Sequence, residues 1–193
     1  MQTLRGIASH WLGLVMLLYF ATYMAWYNLI LPIEIYFVGN MSLIGSLIFL
    51  PHAVRVLSAW LLGPKSLFAL VPAELLMHQF YASTEYQQGF TFLIPLFSSF
   101  SAVFAFELMR LMKLDVYPKM EGITGWRSVM FAGALASVFN SISGAYLKGE
   151  AYSPTEVFDV IARHFVGDVI GLLLAIILLI GFFNLITRNK HIF

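Results

Sequence analysis

His164-Phe165-Val166-Gly167-Asp168-Val169-Ile170-Gly171-Leu172-Leu173-Leu174-Ala175-Ile176-Ile177-Leu178-Leu179-Ile180-Gly181-Phe182-Phe183-Asn184-Leu185-Ile186-Thr187 carries one acid and no other formal charge before Arg188. A bilayer core about 30 Å thick needs roughly 20 predominantly apolar residues as a helix. This run meets that requirement and reads as a membrane span. Working back toward the N-terminus, five further stretches meet or approach it. They cover about His10–Leu31, ending at Pro32, and about Met41–Leu62, interrupted by Pro51 and closed by Gly63-Pro64. A short one follows at about Ser66–Tyr81, then about Phe90–Met112 and about Trp126–Leu147. The 193 residues are 60% hydrophobic and 11% charged, with a mean hydropathy of +0.84. That composition lies far from soluble domains, which run nearer half apolar and about a quarter charged. The expected fold is all-α: a polytopic transmembrane helical bundle of about six spans, forming a single domain over residues 1–193. The first stretch, with Arg5 before it and no small-x-small cleavage site near Ala21, is expected to be a retained helix.

The charges give the orientation. Alternating six spans puts Arg5, Lys65, Arg110, Lys113, Lys119, Arg127, Arg188 and Lys190 on one side. The other side receives only Lys148 and Arg163, together with Glu34, Glu85, Glu150, Glu156 and Asp159. The positive-inside rule then predicts that both termini are cytoplasmic. Trp60 and Trp126 fall at predicted cytoplasmic ends, where amphipathic rings favour the headgroup level. Net charge is +1, which gives no field for nucleic acid, and the absence of cysteine excludes disulfides and thiolate chemistry.

Ser153-Pro154-Thr155-Glu156 has the form of a capping box with proline at the first helical position. Beyond it Val157, Phe158, Ile161 and Phe165 share one face. Two readings stand: a short amphipathic helix on the outer membrane surface, or an early start of the last span. In the fifth stretch Gly133, Ser137, Ser141 and Ala145 recur every four residues, with Asn140 beside them as interhelical glue. Gly167 and Gly171 form a GxxxG pattern around Asp168. Such small-residue faces pack helices closely, either within one bundle or between subunits.

Ionisable groups inside spans are costly and normally face a partner in the bundle interior. His52, Arg55, Glu74, His78, Glu107 and Asp168 are the candidates. Arg55 and Glu74 lie equally far from the turn at Gly63–Lys65, so an ion pair is predicted, with His52 and His78 nearly level. Asp168 is placed to pair with Arg163 or His164, or to reach this cluster. Glu107 and Arg110, at i,i+3, suit a local interfacial pair. The cluster has three readings: a ligand or proton-responsive site beside a helix broken at Pro51, a buried pair that fixes helix register, or a metal site. An arginine beside two histidines and a glutamate makes a poor cation cage, so neither metal nor cofactor is expected. No HExxH, phosphate loop or nucleophile elbow is present, and no enzyme activity is expected.

Phe49-Leu50-Pro51-His52-Ala53-Val54-Arg55, continuing to Trp60-Leu61-Leu62-Gly63, and Phe165-Val166-Gly167-Asp168-Val169-Ile170-Gly171 resemble two motifs of the MASE1 family. This integral membrane sensory domain usually precedes bacterial histidine kinases and diguanylate cyclases. Ala53 stands where that family has glycine, the chain is shorter, and no kinase or cyclase follows within it. The resemblance implies a bacterial inner-membrane protein, sensory or accessory, working through contacts with other membrane proteins. A looser likeness in size and span count is to the substrate-binding S-components of energy-coupling-factor transporters, which implies a small-solute binding subunit. The expected partners are the lipid bilayer, a membrane protein and an unidentified small ligand.

Overall fold

The computed structural model describes residues 2–39, 45–81, 92–114, 116–118, 125–147 and 154–189. Glu85, Lys119, Lys148, Glu150, Ser153 and Lys190, used above for orientation and capping, lie outside them. The elements in chain order are α1 (Gln2–Ala25), α2 (Leu31–Val38), α3 (Leu50–Leu62), α4 (Leu67–Tyr81), α5 (Ile94–Leu111), α6 (Trp126–Leu147) and α7 (Pro154–Asn189). Five helical stretches are long and apolar enough to cross a membrane: His10–Val38, Leu50–Tyr81, Ile94–Leu111, Trp126–Leu147 and Val157–Thr187. The fold is an all-helical bundle of membrane-protein composition, and no strand occurs among the described residues.

Two expectations change, and one choice left open is decided. Pro32 does not end the first helix. A π turn over Trp26–Ile30, closed by the Leu31 N–H on the Trp26 carbonyl, joins α1 to α2 and carries the rod on to Val38. A proline ring clashes with the carbonyl four residues earlier in a regular α-helix. Widening the turn just before Pro32 displaces the Asn28 carbonyl from that position, so the helix continues.

The second helix starts at Leu50 rather than near Met41, and residues 45–49 are non-helical. Pro51 sits in the first turn of α3, where its missing N–H costs nothing. The open choice concerned the last helix. α7 runs unbroken from Pro154, so the early-start reading holds and no separate surface helix precedes the span.

α3 and α4 form a hairpin. Gly63 adopts φ +59°, a left-handed conformation open to glycine, and Gly63–Ser66 makes a 3-10 turn held by the Ser66 hydroxyl donating to the Gly63 carbonyl at 2.8 Å. α1 and α5 each pack against both arms of the hairpin, while α3 also contacts α6 and α7. One core joins Val56 and Ala59 of α3 to Ala102 and Phe106 of α5, Ala132 of α6 and Leu172 of α7. A second joins Val15 and Tyr19 of α1 to Ala69, Leu70 and Ala73 of α4. Alanine at so many contact points brings the helix axes close, which suits packing in lipid, where burial supplies little drive.

Candidate functional site: a buried charge cluster

Small residues set the depth at which the site forms. A Cβ on Gly133 would lie 2.2 Å from Leu172 Cδ2, so α6 and α7 meet at that level. One turn away, the Ser137 hydroxyl donates to Asp168 Oδ2 at 2.9 Å and the Asn140 amide donates to the same oxygen at 3.4 Å. Gly167 and Gly171 serve a different neighbour. A Cβ there would lie 2.0 Å from the Ser46 carbonyl oxygen and 2.3 Å from that of Phe49. The GxxxG face therefore receives backbone of this same chain and packs inside the bundle. Ser141 is buried on the same side of α6 as Ser137.

The non-helical segment on those glycines is held by a carboxylate. Glu34 accepts the backbone N–H groups of Leu47 at 3.0 Å and Ile48 at 2.9 Å, and the Ser46 hydroxyl at 2.9 Å. Trp26, in the π turn, donates its indole N–H to the Ser46 oxygen at 2.9 Å. Backbone without helical bonds needs such partners, above all inside a membrane protein. The Phe49 amide, finally, donates to the Gly167 carbonyl at 3.0 Å. The two segments that carry the family resemblance thus lie against each other.

At the inner end of this arrangement Arg55 is buried and touches three other helices and the segment before α3. One terminal nitrogen donates to the Ser98 hydroxyl of α5. The other lies 3.6 Å from Asp168 Oδ1 of α7, and Nε lies 3.9 Å from Glu74 Oε1 of α4. The guanidinium stands over the Phe49 ring, 5.5 Å from its centroid, a cation–π placement. His52, one turn earlier on α3, sets Nδ1 3.4 Å from Asp168 Oδ2 and Nε2 3.1 Å from the Gly133 carbonyl oxygen. Ser98 and Ser99 lie against the Glu74 carboxylate. Tyr19 closes the α1 side and is buried. The four central residues are at most 4% exposed.

Of the residues singled out in the sequence, His52, Arg55, Glu74 and Asp168 come together. The predicted Arg55–Glu74 pair forms, and Asp168 reaches the cluster rather than pairing locally. His78 lies one turn beyond Glu74 on α4 and is half-buried; the ion pairs that tie the cluster run through the other four. Glu107 and Arg110 pair at 2.6 Å near the end of α5, with the Tyr117 hydroxyl donating to Glu107 at 3.0 Å. Four contributors were not singled out: Glu34, Ser46, Ser98 and Tyr19. Serines at 98, 99 and 101 in an otherwise apolar span were the available signal.

Chemically the site holds two carboxylates, one guanidinium and one imidazole, away from solvent. Arg55 Nε and Nη2, Glu74 Oε1 and His52 Nδ1 are buried without a hydrogen bond among the described residues, their ionic contacts being too long or too poorly aligned to make one. Among those residues no group of three His, Asp or Glu side chains is arranged to hold a metal ion. No protein-family model, curated protein or solved structure matches the chain.

Proposed function

We propose that this chain is a non-catalytic bacterial inner-membrane protein, sensory or accessory, that works through contacts with another membrane protein. Six spans with both termini in the cytoplasm fit the charge distribution: α3 and α4 count as two short crossings, and Lys65 at their turn stands on the basic side.

One observation carries the reading. The contacts Ser137–Asp168 and Gly133–Leu172 fix an antiparallel register in which Trp126, the first residue of α6, is level with about Leu179. α7 continues to Asn189, and every residue of 177–187 is exposed. Ile180, Phe182, Phe183, Leu185 and Ile186 thus extend an apolar helix past the end of its neighbour, exposed among the described residues. An apolar surface of that kind beside the headgroup region suits a helix of a partner. The resemblance to a sensory domain agrees with it.

The test is mild extraction into nanodiscs and mass spectrometry of co-purifying proteins, for the wild type and for Phe182→Ser with Phe183→Ser. A stoichiometric partner retained by the wild type and lost from a monodisperse double variant is expected. Absence of any stoichiometric partner from the wild type overturns the reading. A second reading, a small-solute binding subunit, is favoured by the unpartnered polar atoms of the cluster. A retained small molecule, in place of a protein, identifies it.

A further inference from the structure

The bonds around His52 define what the cluster takes up. Its Nε2 faces the Gly133 carbonyl oxygen at 3.1 Å, and a carbonyl only accepts, so Nε2 carries hydrogen. A neutral imidazole then has a bare lone pair on Nδ1. That nitrogen, fully buried and without a hydrogen-bond partner among the described residues, lies 3.4 Å from Asp168 Oδ2. An ionised carboxylate is also only an acceptor. Two acceptors face each other with no hydrogen between them, an arrangement that burial makes costly.

Charge counting reaches the same place independently. Arg55 from α3 is the one permanent cation in the cluster, against Glu74 from α4 and Asp168 from α7. Among the described residues, the neighbours at the cluster include Tyr19 and Tyr23 from α1, Ser98 and Ser99 from α5, and Ser137 and Asn140 from α6, all uncharged near neutral pH. The titratable His78 lies one turn from Glu74 on α4, and His164 one turn from Asp168 on α7. With these histidines and His52 neutral and both acids ionised, one negative charge is left uncompensated in the interior. A single added proton removes the charge and the opposed lone pairs together.

We infer that the His52–Asp168 pair is a proton-binding site, holding one exchangeable proton between His52 Nδ1 and Asp168 Oδ2. The proton comes from water and returns to water; no bond other than N–H or O–H forms or breaks. Arg55 remains paired with Glu74 throughout. From Asp168 a polar edge of α6 continues through Ser137 and Asn140 to Ser141, whose buried hydroxyl has no partner among the described residues. That edge gives a proton a route toward the Leu147 end of the bundle. The inference is independent of whether α7 binds a partner.

Nuclear magnetic resonance of the full chain in nanodiscs, labelled with ¹⁵N-histidine, tests it. His52 is assigned as the signal lost in His52→Gln. The expected result is Nε2 protonated throughout, with one further proton on the Nδ1–Asp168 edge that leaves as pH rises. It appears either as Nδ1–H or as a protonated-carboxyl infrared band lost in Asp168→Asn. In Asp168→Asn the amide donates to Nδ1, so His52 stays neutral and its pH dependence disappears. Thermal stability of the wild type is expected to fall as that proton leaves, while Asp168→Asn is flat over the same range. A neutral Nε2–H ring with an ionised Asp168 at every pH overturns the inference. So does a pH-dependent stability unchanged in Asp168→Asn, or a stability change that follows sodium concentration instead of pH.

Discussion

The amide of Phe49 donates to the carbonyl of Gly167 at 3.0 Å, tying an unwound segment before α3 to the glycine face of α7. The contact exists because neither Gly167 nor Gly171 has a side chain: a Cβ there would meet backbone atoms, which have nowhere to retreat.

Gly167→Ala and Gly171→Ala are therefore expected to destabilise the protein by about 2–3 kcal/mol, the upper part of the usual range for overpacking. Gly133→Ala should cost less, since it meets the flexible end of Leu172. Gly181→Ala meets nothing within 4 Å and should be neutral or slightly stabilising. Thermal unfolding of the four variants in nanodiscs gives the order. Equal stability of Gly171→Ala and Gly181→Ala would contradict the packing described.

Removing one member of the charge cluster should cost far more than removing a pair. Arg55→Ala leaves Glu74 and Asp168 without their shared cation, and breaking a buried pair this way costs about 3–5 kcal/mol. Arg55→Met combined with Glu74→Leu should recover most of that, because Asp168 keeps Ser137, Asn140 and His52. Unfolding midpoints measured side by side decide it. A double variant no more stable than Arg55→Ala would mean that the pair does more than balance charge.

Glu34 is expected to act locally. Glu34→Ala removes the acceptor of two amides and a hydroxyl, each such bond being worth roughly 1–3 kcal/mol where a charge is involved. Hydrogen exchange should quicken at Leu47 and Ile48 and stay unchanged in the centre of α6. Uniform quickening across the molecule would show instead that the 45–49 segment and the bundle open together.

The cluster was legible in the sequence only in part, for physical reasons. Arg55 and Glu74 belong to one hairpin, so their distance from Gly63-Pro64 fixes their relative depth without any knowledge of packing. Asp168 is on a helix that reaches the cluster through α6 and the unwound segment, and its depth depends on where Gly133, Gly167 and Gly171 allow close approach. His78 followed from the same hairpin arithmetic, but His52 turns away from α4, toward Gly133 and Asp168. Glu34 looked like a loop residue because Pro32 reads as a stop; a π turn leaves no mark in hydrophobic periodicity. The bundle itself, by contrast, follows from long apolar runs: α6 begins and ends where its run does.

The six-span arrangement predicts a labelling pattern that the absence of cysteine makes clean to measure. Lys65→Cys should react with an impermeant thiol reagent only from the cytoplasmic side, and Gly39→Cys only from the opposite side. Both reacting from one side would mean that α3 and α4 do not cross.

The π turn between α1 and α2 lets the rod carry one residue more than a regular helix would hold over the same rotation. Each residue of an α-helix advances about 100° around the axis. The wide turn absorbs one residue beyond what a regular turn holds, so removing one residue from Trp26–Ile30 would restore a regular helix and leave Glu34 near its present bearing. Removing one from the regular part of α1 would instead rotate everything after it by about that angle and swing Glu34 off the amides it holds. The π turn is thus the place where this rod can lose a residue without losing its bearing, and a deletion before it acts as a frameshift in space.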